Sequence, residues 1–250
     1  MTRPAAQPAA IADPQRHRGL LFDKDGTLFD FAATWRQATR ALLQALAPDD
    51  PDRRRALGLA AGFDPDTGRF RPGSPIVAGS AEHMAAIWAP LLPGWTPGDL
   101  ERAANDAAAA IGGPTLTPAA PDLPGLLDGL RAGGMALGVA THDNEAAARA
   151  HLQAVGALDR FDFIAGYDSG HGLKPGPGMV LAFARSVRIM PAQVVMIGDS
   201  VHDMGAARAA GATAVAVLTG PADESDLAPH ADVVLPSIAE LPAWLAGERA

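Results

Sequence analysis

The chain has no cysteine, which removes disulfides, thiolate nucleophiles and cysteine-based zinc sites together. That absence fits a reducing cytosol without identifying the compartment, and a cytoplasmic location is the expectation. An excess of positive charge is also missing. The formal net charge is −8, which argues against sequence-independent binding to nucleic acid or to an anionic membrane surface. The one basic run, Arg53-Arg54-Arg55, reads as a solvated helix face. No apolar run approaches the ~20 residues needed to cross a bilayer. The first seventeen residues, rich in Ala, Pro and Arg, lack the apolar core of a secretory signal. Pro4, Pro8 and Pro14 predict a disordered leader over residues 1–17.

What is present is enough for a sizeable core: 250 residues, 48% of them apolar. Order is expected from Gly19. Leu20-Leu21-Phe22 is a short apolar run closed by Asp23-Lys24-Asp25-Gly26-Thr27, as a buried strand running into a polar loop. Met135 to Ala140, Phe161 to Ala165, Val194 to Ile197, Ala214 to Leu218 and Val233 to Leu235 repeat the theme. Helical stretches fall between them: Leu123 to Ala132, Asn144 to Val155, Pro177 to Val187, Val201 to Ala210, and a closing one from Ile238 to Ala246. This alternation predicts an α/β fold, a Rossmann-like parallel sheet flanked by helices, with ligands bound beyond the carboxyl ends of the strands.

The interval from Phe31 to Pro118 breaks the alternation. It carries helical patterns at Phe31 to Ala47, Ala81 to Trp88 and Pro97 to Ile111, with a turn-rich stretch from Arg69 to Pro75. The expected organisation is therefore a catalytic core over 18–30 and 119–250, with a mainly helical cap over 31–118.

Four groups of residues at the strand ends carry chemistry. Asp23 and Asp25, one residue apart in a turn, can address one pocket as nucleophile and as general acid and base. Asp199 and Asp203 lie four apart at a helix start; Asp199, Asp23 and the backbone carbonyl of Asp25 can supply a magnesium shell, with Asp203 holding it in place. Lys174 can neutralise phosphoryl charge, and the Thr141 hydroxyl can hold phosphate oxygens. Each has an ordinary alternative: an Asp-x-Asp-Gly turn, an Asp helix cap, a surface lysine, a lone threonine.

Taken together, their order and placement resemble the haloacid dehalogenase superfamily, over nearly all of Gly19 to Leu245. Asp23-Lys24-Asp25-Gly26-Thr27-Leu28 looks like its first motif, Thr141 its second, Lys174-Pro175 its third, and Gly198-Asp199 through Asp203 its fourth. The resemblance implies that Asp23 is nucleophile and metal ligand, and that Asp25 protonates the leaving oxygen and then activates water. Thr141 and Lys174 would hold phosphate, and Asp199 would bind Mg2+ with help from Asp203. The insertion stands where the superfamily's helical cap occurs.

Asp25 sets the expected reaction. Dehalogenases of the superfamily lack an aspartate two positions after the nucleophile, whereas its phosphatases and mutases have it. Phosphonate cleavage needs a cap lysine, and the cap interval has none. The expectation is hydrolysis of a small phosphorylated metabolite, with phosphoglycolate as the nearest resemblance; a sugar phosphomutase is the alternative, and an idle phosphate-binding scaffold a remote one. Arg71, Ser74 and His83 are the cap's candidates for substrate contact, Arg71 for a substrate carboxylate, and His142 is placed beside the phosphate through its backbone amide.

Overall fold

Leu20, Leu21 and Phe22 have no solvent exposure, because strands on either side and helices above and below cover them. The computed structural model describes residues 17–71, 74–111 and 116–247. The chain runs from β1 (Gly19–Phe22) into α1 (Phe31–Leu46), α2 (Pro51–Ala61), a hairpin of β2 (Phe63–Asp64) and β3 (Arg69–Phe70), α3 (Pro75–Ala78), α4 (Ala81–Trp88) and α5 (Pro97–Ala109). The alternating part follows as α6 (Leu123–Ala132), β4 (Ala136–Ala140), α7 (Glu145–Ala154), β5 (Phe163–Ala165) and α8 (Gly178–Ser186). It continues through β6 (Val194–Gly198), α9 (Val201–Ala210), β7 (Thr213–Val217), α10 (Glu224–Leu227), β8 (Val233–Leu235) and α11 (Leu241–Leu245).

Six strands form one sheet in the order β5-β4-β1-β6-β7-β8, every pair parallel. The order reverses around β1: the chain goes first to β4 and β5 on one side, then to β6, β7 and β8 on the other. That reversal opens a crevice at the carboxyl ends of β4, β1 and β6. Helices cover both faces, which is why β6 (Val-Val-Met-Ile-Gly) is buried throughout and does not alternate. One core lies around Leu20, Phe22, Leu137 and Val195, and the other around Leu21, Met196, Phe183 and Met204.

The insertion has its own apolar cluster, built around Leu43, Leu57, Phe63, Met84, Trp88 and Leu100. It leaves and rejoins the sheet side by side, since Asp30 N–H donates to Thr117 O at 2.8 Å and Ala119 N–H to Leu28 O at 2.9 Å. Several local expectations need correction. The predicted closing helix splits into a 3-10 turn, Ile238–Glu240, and α11, with Pro242 near its start. Of α2 only the solvated face at Arg53-Arg54-Arg55 was foreseen, not its extent, and the hairpin was not foreseen. The helix buries little beyond Leu57, Gly58 and Ala61, and each hairpin strand has two residues, so neither leaves much periodicity. Residues 1–16 of the expected leader lie outside the described residues. His17, its last, belongs to the fold: it is buried, stacks on Trp244 and lies 3.1 Å from Thr213 Oγ1. Among the described residues, no helix is long and apolar enough to cross a membrane.

Candidate active site

Each predicted carboxylate follows a buried strand, and the crevice gathers them. Asp23 extends β1, with its N–H bonded to Ile197 O at 2.8 Å. Asp199 follows β6, and Asp203 sits in the first turn of α9. One oxygen from each of Asp23, Asp199 and Asp203 lies within 4.8 Å of the others, and all three residues are buried. Backbone crowds against Asp199: a side chain added at Gly26 or Gly220 would strike its carboxylate, and Gly26 also has φ 89°, which disfavours other residues. Asp203 is fixed through a capping box, accepting from Ser200 N–H at 3.1 Å and Ser200 O–H at 2.6 Å.

Lys174 joins two of the three. Its Nζ donates to Asp23 Oδ1 and Asp203 Oδ1, each at 2.6 Å, and to Ala140 O at 2.9 Å. All three ammonium protons are therefore used. Burial opposes its charge, but Asp203 and Asp23 outweigh that and hold its pKa above the ordinary value. One lysine does not balance three carboxylates. Burial pushes Asp23 up to about 7, against the pull of Lys174 and with the help of Asp203 and Asp25. Burial, then Asp23 and Asp203, push Asp199 well above the usual carboxylate range. The cluster is an all-oxygen donor set short of positive charge, which suits a hard divalent cation.

Asp25 stands apart from this triad. Its Oδ1 accepts from the Trp35 indole N–H at 2.7 Å, and its Oδ2 meets Lys24 Nζ at 2.6 Å. Lys24 is wholly buried and also lies 3.0 Å from His151 Nδ1 and 3.3 Å from Asp143 Oδ2. Since Lys24 can only donate, His151 carries its proton on Nε2, which meets Ala108 O at 2.9 Å. Burial, then the Lys24 charge, lower the His151 pKa and agree with a neutral ring. The sequence contains two lysines in all, and both are buried at this one site.

Thr141 follows β4, buried, with its Oγ1 accepting from Asp143 N–H at 3.0 Å. His142 accepts from the Lys174 backbone N–H through Nε2 at 3.0 Å, so it shapes the Lys174 loop through its ring. Both line the same pocket as the carboxylates. The cap candidates do not. Arg71 is exposed, and its guanidinium donates to Leu59 O at 2.7 Å, drawn to a carbonyl near the end of α2. His83 is exposed, and Ser74 packs against Gly62, both outside the pocket lining.

Lys24, Trp35, Asp143 and His151 went unassigned in the sequence reading. Two signals were available: a charged residue between the two motif aspartates, and the scarcity of lysine elsewhere. Trp35 and His151 also tie the insertion to the core, as does a chain in which Tyr167 O–H donates to Glu101 and Asn105 bonds Tyr167 and Asn144.

Residues 17–211 match the family described as haloacid dehalogenase-like hydrolase. The chain belongs to that family. A phosphoglycolate phosphatase from Xylella fastidiosa is 31% identical over 225 residues, 89% of this chain and 88% of the relative. Another from Chromobacterium violaceum is 40% identical over 121 residues, 47% of this chain, so the chain spans about half (54%) of that relative. A solved haloacid dehalogenase-like hydrolase from Streptococcus pneumoniae superposes with a TM-score of 0.68 at 18% identity, covering 92% of this chain and 99% of the other. That last likeness concerns the fold.

The crowding of Asp199 has a measurable consequence without metal. A carboxylate with a raised folded-state pKa keeps its proton in the folded chain where the unfolded chain has lost it, so stability falls as pH rises through that interval. Asp199→Asn removes this burden. In EDTA at pH 7 the variant is expected to unfold at higher urea than the parent, with the gap closing as pH falls towards about 4. A lower midpoint for the variant at pH 7 would contradict the account.

Proposed function

We propose that this hydrolase is a magnesium-dependent phosphatase of a small phosphomonoester, working through a phospho-aspartate on Asp23. The observation that carries the reading is the placement of Asp23. It shares a buried triad with Asp199 and Asp203, has Lys174 on one oxygen, and opens onto a pocket that Asp25 also lines. The ion is assigned to Asp23, Asp199 and Asp203, with the Asp25 backbone carbonyl as a further ligand. Bound there, magnesium would supply the positive charge that a dianionic phosphate needs to approach three carboxylates.

The chain's own groups supply the remaining steps. Asp23 attacks phosphorus as the bond to the alcohol oxygen breaks, giving an acyl phosphate that water readily hydrolyses. Asp25 gives its proton to the departing oxygen and later takes one from the attacking water. Lys24 and the Trp35 indole grip its two oxygens and hold it towards the pocket. The Thr141 hydroxyl, already accepting from Asp143 N–H, retains its own hydrogen to donate to a phosphate oxygen. The inserted helices act as a cap that excludes water while Asp23 carries the phosphoryl group.

The first test is phosphate release from p-nitrophenyl phosphate and from a panel of phosphorylated metabolites, phosphoglycolate among them because relatives carry that name. Release is expected with magnesium and is expected to stop with EDTA. A phosphomutase would instead isomerise a sugar phosphate with little free phosphate. No magnesium-dependent release from any ester would overturn the reading.

A further inference from the structure

The wall of the pocket opposite the carboxylates comes from the inserted helices. Phe31, Trp35 and Leu42 of α1, Ile76 of α3, and Met84 and Trp88 of α4 face the site. Three polar residues interrupt this surface. Ser80 is used as the cap of α4, and Asn105 spends its amide on Tyr167 and Asn144. Thr39 is different: it is 2% exposed, lines the pocket, and its Oγ1 has no hydrogen-bond partner.

No lysine or arginine of the insertion reaches this wall. Arg36, Arg40, Arg54 and Arg71 donate to backbone carbonyls of the insertion itself, and Arg69 is exposed and outside the pocket lining. Arg53, Arg55 and Arg102 pair with Asp50, Asp66 and Asp99. Residues 72–73 and 112–115 contain no basic side chain. Five aspartates line the pocket, Asp23, Asp25, Asp143, Asp199 and Asp203, against Lys174 as its one lysine. A substrate with a second negative charge on its alcohol portion would therefore be desolvated against apolar side chains without a counter-charge. An apolar group would gain there from burial of its surface.

Resting on the phosphatase reading, we propose that the substrate is the phosphomonoester of an uncharged, largely apolar alcohol, an alkyl or arylalkyl phosphate. Thr39 offers it one hydrogen bond; Phe31, Trp35, Ile76 and Met84 enclose its hydrocarbon part. The proposal sets this pocket apart from one built for a carboxylate-bearing ester.

The test compares kcat/KM for benzyl phosphate, 3-methylbutyl phosphate, glycerol phosphate and phosphoglycolate, all esters of alkyl alcohols, with acetyl phosphate as the minimal substrate. The two apolar esters are expected to exceed phosphoglycolate by at least ~10-fold, the scale on which apolar pockets discriminate. Phosphoglycolate equal or superior to them would overturn the proposal while leaving the phosphatase reading intact. No turnover of any compound, acetyl phosphate included, would overturn both. Ile76→Lys places an ammonium at the half-buried wall, where a long side chain can still reach water. It is expected to shift the ratio towards phosphoglycolate by ~10-fold or more. An unchanged ratio in a folded variant would count against the assigned wall.

Discussion

Asp23→Asn is expected to lower phosphate release by about 10⁶-fold, the scale seen when a nucleophile that works with a base is removed. The amide nitrogen and oxygen cannot form the acyl phosphate, so the phosphorylated enzyme that appears on rapid mixing should vanish with the steady-state rate. The fold should survive. In the parent, burial already drives the Asp23 pKa up to about 7, so the ionised form is costly to the metal-free protein at neutral pH. An amide of the same shape avoids that cost, and Lys174 keeps Asp203 and the Ala140 carbonyl as partners. Unfolding in EDTA should therefore show a variant near the parent's stability. Near-normal turnover in Asp23→Asn would show that another group attacks phosphorus.

Lys24→Met is expected to destabilise the protein by about 3–5 kcal/mol, the usual effect of removing one partner from a buried ion pair. Methionine approximates the length of the stem but leaves Asp25 and Asp143 facing each other without a cation. Burial opposes the Lys24 charge, yet Asp25 and Asp143 raise its pKa above the ordinary value, so the group is held charged. For a chain of this size the loss corresponds to roughly 10 °C in Tm. Turnover should fall too, because Asp25 would keep only the Trp35 indole. Adding Asp143→Asn should restore part of the stability, since the two residues share one network. A Lys24→Met protein within 1 kcal/mol of the parent would remove the basis for this account.

These two residues are neighbours in the chain and were unequally legible. Asp23, Asp199 and Asp203 could be read because each ends a recognisable apolar strand or opens the helix after it, and a parallel sheet brings such positions together. Lys24 lies in the same motif, but its partners Asp143 and His151 are more than a hundred residues away, and spacing says nothing of which buried acid a lysine will meet. Arg71 failed for a related reason. Its charge was visible, but its direction depends on α2, whose carbonyl at Leu59 captures it, and α2 itself buries too few apolar residues to stand out. The face of α1 carrying Phe31, Trp35, Ala38 and Leu42 has the spacing of an ordinary amphipathic helix. Periodicity shows that such a face is covered; it does not tell whether protein or substrate covers it.

Lys24 has no solvent exposure and lies outside the pocket lining, so an acylating reagent cannot reach its amine on the folded protein. Modification of residue 24 then requires the chain to open. The rate of that reaction, followed by mass spectrometry, would clock the opening of the catalytic centre without any engineered probe.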